Sequence, residues 1–147
     1  MYTYAYPRPA VTVDAVVFRK VSENIEVLLI QRGHHPFQGM WACPGGFIDM
    51  QETPEDAAIR ELEEETGLNN VELFQFHTYG AINRDPRHRT IAIAYAGFLR
   101  NNLFEVKGGD DAAEALWFNI AQLPELAFDH DQIVADAIEF AQRKNWF

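Results

Sequence analysis

The sequence predicts an α/β fold, a mixed sheet held in a sandwich with a helix on each side. Three observations point there. Segments of two-residue alternation, or rich in β-branched and aromatic residues, dominate the start and the middle of the chain. Two amphipathic helical segments stand far apart, one before the middle strands and one at the C-terminal end, so neither can cover the sheet alone. Polar or glycine-containing turns separate the pieces, and the 147 residues suffice for one core and a single domain over 1–147.

From Ala10 to Phe18, Val11, Val13, Ala15 and Val17 alternate with Thr12, Asp14, Val16 and Phe18, the period of a strand. Ile25 to Ile30 reads as its partner across the polar turn Lys20 to Asn24. Gly33 to Gly39 reads as a loop, followed by a short apolar piece, Met40 to Cys43, and by Gly45-Gly46, which permit a turn or a close approach. Thr53 can cap a helix that has Pro54 at its first position, Asp56 completing a capping-box-like pattern, and Gly67 as its stop. Val71 to Tyr79 and Thr90 to Leu99 read as strands, with Asn83 to Arg89 a charged loop between them. After an acidic loop at Gly108 to Ala113 comes a short strand, Ala115 to Phe118. A last helix starts near Asp129 as N-cap, with Ile133, Ala137 and Ala141 as its stripe and Val134, Ile138 and Phe140 widening it.

The hydrophobic fraction of 48% is that of a packed globular protein. A formal net charge of −10 argues against a nucleic-acid surface, which draws affinity from Lys and Arg. It permits a phosphorylated small molecule where divalent cations sit between two anionic surfaces. The opening residues lack the basic and apolar regions of a signal peptide and no stretch approaches membrane-spanning length, so a cytoplasmic protein with no membrane partner is expected. Cys43 reads as a small buried hydrophobe, and the five histidines have no zinc-site spacing.

On the helix from Pro54 to Thr66, Glu61, Glu64 and Glu65 lie at i, i+3 and i+4 and share one face. Three adjacent carboxylates repel one another. Either they form a solvated face, or a hard cation compensates them near a buried surface. The Gly-Gly pair upstream, the further acid Glu52 and Arg60, placed to pair with Glu64 at i+4, favour the second reading.

The stretch from Gly46 to Leu68 resembles the Nudix box, G-x5-E-x7-R-E-U-x-E-E-x-G-U. Gly46, Glu52, Arg60, Glu61, Glu64, Glu65 and Gly67 match, and Leu62 and Leu68 fill the aliphatic positions. Trp41 to Gly46 is similar to the family's W-x-L-P-G-G, departing at Cys43. The resemblance implies a Nudix-type α/β/α sandwich and hydrolysis of a diphosphate bond with Mg²⁺, for which Mn²⁺ can substitute. By the same resemblance Glu61, Glu64 and Glu65 are metal ligands. Arg60 and Glu52 orient them, Glu52 with a place in the metal set. Gly46 and Gly67 are structural, and a homodimer is implied. An acid beyond the box often serves as ligand or base in this family. The candidates are Asp110, Asp111 and Glu114, with Glu114 preferred, since it precedes Trp117 in the manner of the family's E-x-x-W, and Asp111 next. Exposed turn acids are the alternative for each.

The substrate must be read from the loops. Arg84 to Arg89 and Leu123 to His130 resemble segments of the ADP-ribose pyrophosphatase type and of ADP-ribose-sensing relatives. Arg84, Arg87, Arg89 and Arg32 offer charge for phosphate, or else surface ion pairs. Phe128, Phe37 and Tyr79 are stacking partners for a base, or else core. His130 either starts the last helix or lines the pocket mouth. The resemblance thus implies a nucleotide substrate, ADP-ribose or a related nucleoside diphosphate sugar. The alternatives are a housecleaning hydrolase of damaged nucleoside triphosphates and a sensor that binds ADP-ribose without cleaving it. The full set of box acids favours hydrolysis.

Overall fold

The computed structural model describes residues 1–100 and 112–147. Its elements run β1 (Ala10–Val21), β2 (Asn24–Arg32), β3 (Trp41–Ala42), β4 (Gly45–Phe47), α1 (Pro54–Thr66), β5 (Phe74–Tyr79), β6 (Thr90–Leu99), β7 (Ala112–Asn119) and α2 (His130–Arg143). The sheet is mixed, in the order β3-β2-β1-β6-β5, with β4 paired to β1 and β7 to β2. Its spine is a parallel register between β1 and β6, from Ala10 opposite Thr90 to Arg19 opposite Leu99.

A strand buried on both faces must be apolar at odd and even positions alike. β1 is such a strand. Val16 and Phe18 meet Val27 and Leu29 under the Ile133, Val134, Ala137 and Ala141 stripe of α2. Ala15 and Val17 turn the other way, toward Leu28, Ile30 and Leu62 of α1, while Val13 packs with Ala57 and Ala58. Full burial of a side chain such as Leu62 contributes about 1.5–3 kcal/mol. The expected helix-sheet-helix sandwich is therefore the observed one.

The helix termini follow their sequence signals at α1. Thr53 Oγ1 accepts the Asp56 N–H at 3.1 Å, and Gly67 adopts φ 76°, its N–H donating to Glu63 O. α2 departs from expectation, because the Asp129 side chain makes no cap bond and is instead taken by Arg84. Of the two possibilities for Gly45-Gly46, a turn or a close approach, the structure takes the second: the pair lies in β4, opposite Asp14 and Val13 of β1. One strand boundary is corrected. The fifth strand begins at Phe74 rather than Val71, because residues 71–73 cross over Gly97, where a Cβ would stand 2.7 Å from Glu72 O. No described helix is long and apolar enough to cross a membrane.

Candidate active site

α1 and β4 carry the acidic half of the site. Leu62 and Ala58 anchor the buried side of the helix, which turns Glu61, Glu64 and Glu65 toward β4. Glu65 is only 6% exposed, and its Oε1 accepts the Gly45 N–H at 2.7 Å. Glu61 lies under Gly46, where a Cβ would come within 2.5 Å of its Oε1. Gly46 is thus required by close approach of the Glu61 carboxylate, and Gly45 by that of β1, where a Cβ would stand 2.1 Å from Val13 O.

Arg60 binds this face together. Its Nε and Nη2 donate to both oxygens of Glu52, at 2.9 and 2.6 Å, and its Nη1 donates to Glu61 at 2.8 Å and Glu64 at 3.1 Å. The Arg60 bonds, followed by the Asp49 N–H, hold the Glu52 carboxyl down at about 2. The same bonds from Glu52, with those to Glu61, raise Arg60 further above its ordinary range. Glu52 is therefore a partner of the arginine that gathers the other acids. Among the described residues no three His, Cys, Asp or Glu side chains already converge in metal-holding geometry. The chemistry of the donors nonetheless fits a hard divalent cation: three carboxylates from one helical turn, beside a glycine strand that leaves room above Glu61.

A cavity of about 350 Å³ opens against this face. Its lining includes Glu61, Glu64, Glu65 and Arg60 together with Arg32, Arg84, Arg87 and Phe128, so the fold unites residues from four separated segments. Arg84 is 4% exposed, with two bonds to Asp129 at 2.6 and 2.8 Å. Arg87 donates through Nε and Nη2 to Asp85 and lies over the Phe47 and Phe128 rings at 5.2 and 5.4 Å. Burial raises the Asp85 carboxyl, but the Arg87 bonds outweigh it and the net direction is down. Arg32 covers Phe128 at 4.9 Å and donates to Pro36 O at 2.7 Å. Phe128 itself holds the uncommon φ of 54°, between buried Ala127 and the Arg84-bound Asp129.

Other expectations fall elsewhere. Arg89 donates to Gly80 O at 2.7 Å and does not line the cavity. Glu114 is exposed on β7 opposite Gln31 and does not line it either. Asp110 and Asp111 lie outside the described residues. Phe37 packs edge-on against Phe128 at 4.8 Å. Tyr79 belongs to the core under α2, its hydroxyl donating to Asp136 at 2.7 Å. Cys43 is buried, and burial pushes its thiol well above the ordinary value, in keeping with a packing role.

The site also has a part of which the sequence reading singles out only His130, which both begins α2 and lines the cavity. Asp14 and His130, 6% and 5% exposed, are buried polar residues of its lining. The Cys43 N–H donates to His130 Nδ1 at 2.9 Å, which leaves the proton of the neutral ring on Nε2, 3.6 Å from Asp14 Oδ1. Burial lowers the His130 pKa and raises that of Asp14. The signal that could find Asp14 is a lone acid inside the apolar run Val11 to Phe18.

Comparison with known proteins gives a consistent result. The NUDIX domain family matches residues 8–137. An ADP-ribose pyrophosphatase of Methanocaldococcus jannaschii is 41% identical over 131 residues, 89% of this chain and 74% of that protein. The ADPR responsive transcriptional repressor NtrR of Acinetobacter baylyi is 31% identical over 144 residues, 95% of this chain, which spans only 56% of the repressor. Among solved structures, the NUDIX domain of Shewanella oneidensis NrtR complexed with ADP ribose superposes with a TM-score of 0.86 at 33% identity, over 92% of this chain and 90% of that one.

Proposed function

Because the chain belongs to the NUDIX family of pyrophosphohydrolases, we propose that it hydrolyses the diphosphate bond of ADP-ribose or a related nucleoside diphosphate sugar, releasing two monophosphates. The observation that carries this reading is the one cavity lined by Glu61, Glu64 and Glu65 together with Arg32, Arg84 and Arg87. A diphosphate needs cationic partners on its outer oxygens and a charge-neutralised phosphorus for attack, and the two sets of side chains meet those needs separately. Likeness to an ADP-ribose pyrophosphatase, and to a domain solved with ADP ribose, supports the choice of substrate.

In this reading Glu61, Glu64 and Glu65 hold Mg²⁺, which, when bound, neutralises phosphoryl charge and lowers the pKa of the attacking water. Arg60 and Glu52 keep the three acids on one face. The Gly45 N–H fixes Glu65, and Arg32 and Arg87, which both lie over the Phe128 ring, bind the diphosphate. The reading carries with it Mn²⁺ as a substitute, no nucleic-acid ligand, a cytoplasmic setting and a homodimer. Light scattering during size-exclusion chromatography tests the dimer.

A second reading has its own support in the likeness to the repressor: a module that binds ADP-ribose without cleaving it. The complete acid set of α1 favours turnover. A substrate screen with Mg²⁺ separates the readings. AMP and ribose phosphate from ADP-ribose are expected. ADP-ribose bound but never cleaved establishes the sensor, and pyrophosphate released from an oxidised nucleoside triphosphate in preference establishes a housecleaning hydrolase.

A further inference from the structure

One ring in the cavity lining gathers cations from two distant segments. The Phe128 centroid lies 4.9 Å from the Arg32 guanidinium carbon and 5.4 Å from that of Arg87, within the range of attraction between a cation and a ring face. Arg32 ends β2 and Arg87 belongs to the loop between β5 and β6, so nothing local brings them to the same ring. Phe37, edge-on at 4.8 Å, and the His130 ring, at 5.6 Å, flank it as well. The electron-rich face of Phe128 thus already serves this chain's own charges.

The backbone presents the ring from a fixed position. Phe128 adopts φ 54°, a left-handed conformation unfavourable for a bulky side chain, and such conformations persist where the surroundings fix the chain. Here the Ala127 N–H donates to Trp41 O at 2.8 Å, the His130 N–H donates to Ala127 O at 3.0 Å, and Asp129 is gripped by Arg84. Each guanidinium has a second anchor. Arg32 Nε donates to Pro36 O, and Arg87 donates through Nε and Nη2 to buried Asp85. Two cations beside one ring repel each other, and a diphosphate that accepts hydrogen bonds from both offsets that repulsion.

We propose that Phe128 is a positioning residue for the diphosphate, acting through Arg32 and Arg87, and not a platform for the base. This rests on the reading that the cavity takes a diphosphate, and not on ADP-ribose being the compound that carries it. Without the ring each guanidinium keeps an anchored edge but regains rotational freedom, which binding must then remove.

The test uses a diphosphate analogue with neither base nor sugar. Methylenediphosphonate is titrated by calorimetry into the native protein and its variants at fixed free Mg²⁺, and KM and kcat are measured for ADP-ribose. Phe128→Leu is expected to weaken methylenediphosphonate binding about threefold to tenfold, the loss of two cation–ring contacts, and to raise KM by the same factor with kcat within about twofold of native. Phe128→Tyr, which keeps the ring, stays within about twofold of native on every measure. In an Arg87→Ala background Phe128→Leu costs less than it does alone, because one of the contacts is already gone. Phe128→Met takes the place of Phe128→Leu if circular dichroism shows that the leucine variant does not fold. A higher KM with unchanged methylenediphosphonate binding makes the ring a base platform and overturns the proposal. So does a leucine variant equal to the tyrosine one, full additivity with Arg87→Ala, or no binding of methylenediphosphonate by the native protein. The two readings fail separately. Phe128-dependent binding of methylenediphosphonate without cleavage of any nucleoside diphosphate sugar removes the pyrophosphatase alone, whereas cleavage of ADP-ribose with methylenediphosphonate binding indifferent to Phe128 removes this proposal alone.

Discussion

Arg60 grips Glu52 with two points, Nε to Oε2 at 2.9 Å and Nη2 to Oε1 at 2.6 Å, and spends its remaining nitrogen, Nη1, on Glu61 and Glu64. A planar five-donor fork can serve three carboxylates at once, and a lysine ammonium cannot reproduce that geometry. Arg60→Lys is therefore expected to weaken apparent Mg²⁺ affinity or turnover roughly tenfold to a hundredfold, as loss of an orienting partner does. Mg²⁺ titration of the hydrolysis rate checks it; an unchanged titration removes Arg60 from the orienting role.

Glu64 and Glu65 sit side by side in sequence but differ in burial. The Glu64 side chain is 41% exposed, while Glu65 is buried and accepts the Gly45 N–H. Both Gln variants are expected to lower kcat a hundredfold or more. Glu64→Gln leaves the melting temperature near that of the native protein. Glu65→Gln also weakens a charge-assisted hydrogen bond and costs about 1–2 kcal/mol of stability. Paired kinetics and thermal melts measure the split; survival of activity in both variants returns the acids to a solvated helix face.

Arg84 joins the loop of residues 83–89 to the start of α2 through Asp129. Arg84→Met strands the Asp129 carboxylate and loosens Phe128 and His130 on either side of it. The expected cost is about 2 kcal/mol, below the figure for a fully buried pair because Asp129 keeps 26% exposure. Urea unfolding measures this, and KM for the nucleotide should rise along with it. A variant as stable as the native protein shows the pair to be dispensable.

His130 gives the fold a pH dependence. Burial, against the pull of Asp14 and Asp129 and with that of Arg84 and Arg32, sets its folded pKa below the ordinary 6.5. Between the two values the unfolded chain binds the proton more readily, so the contribution of the neutral ring is complete above pH about 6.5 and is lost as pH falls toward the folded value. Protonation would also set a ring N–H against the Cys43 N–H. Unfolding free energy should decline from pH 7.5 to 5.5, and His130→Gln should flatten the slope. Equal slopes in the two proteins would falsify this assignment.

Local signals made much of the molecule legible in the sequence. Thr53, Pro54 and Gly67 bound α1 because capping depends on neighbours a few residues away, and i, i+3, i+4 spacing alone puts Glu61, Glu64 and Glu65 on one face. Two-residue alternation located β1, the polar turn after it marked β2 as its partner, and β-branched and aromatic content located β6. The acidic half of the site and the helix-sheet-helix layering were therefore readable without coordinates.

Tertiary structure decided whatever depended on partners distant in sequence. It decided between a turn and a close approach at Gly45-Gly46, making the pair a strand packed against β1 with Gly46 over Glu61, since close approach is a property of two segments and not of one. It assigned Asp129 to Arg84, 45 residues away, in place of the helix cap that local pattern favours. It divided the arginine loop, sending Arg84 and Arg87 to the cavity wall and Arg89 to the Gly80 carbonyl. And it set Asp14 against His130, a pairing that becomes visible only when β1 and the start of α2 are brought together around buried Cys43.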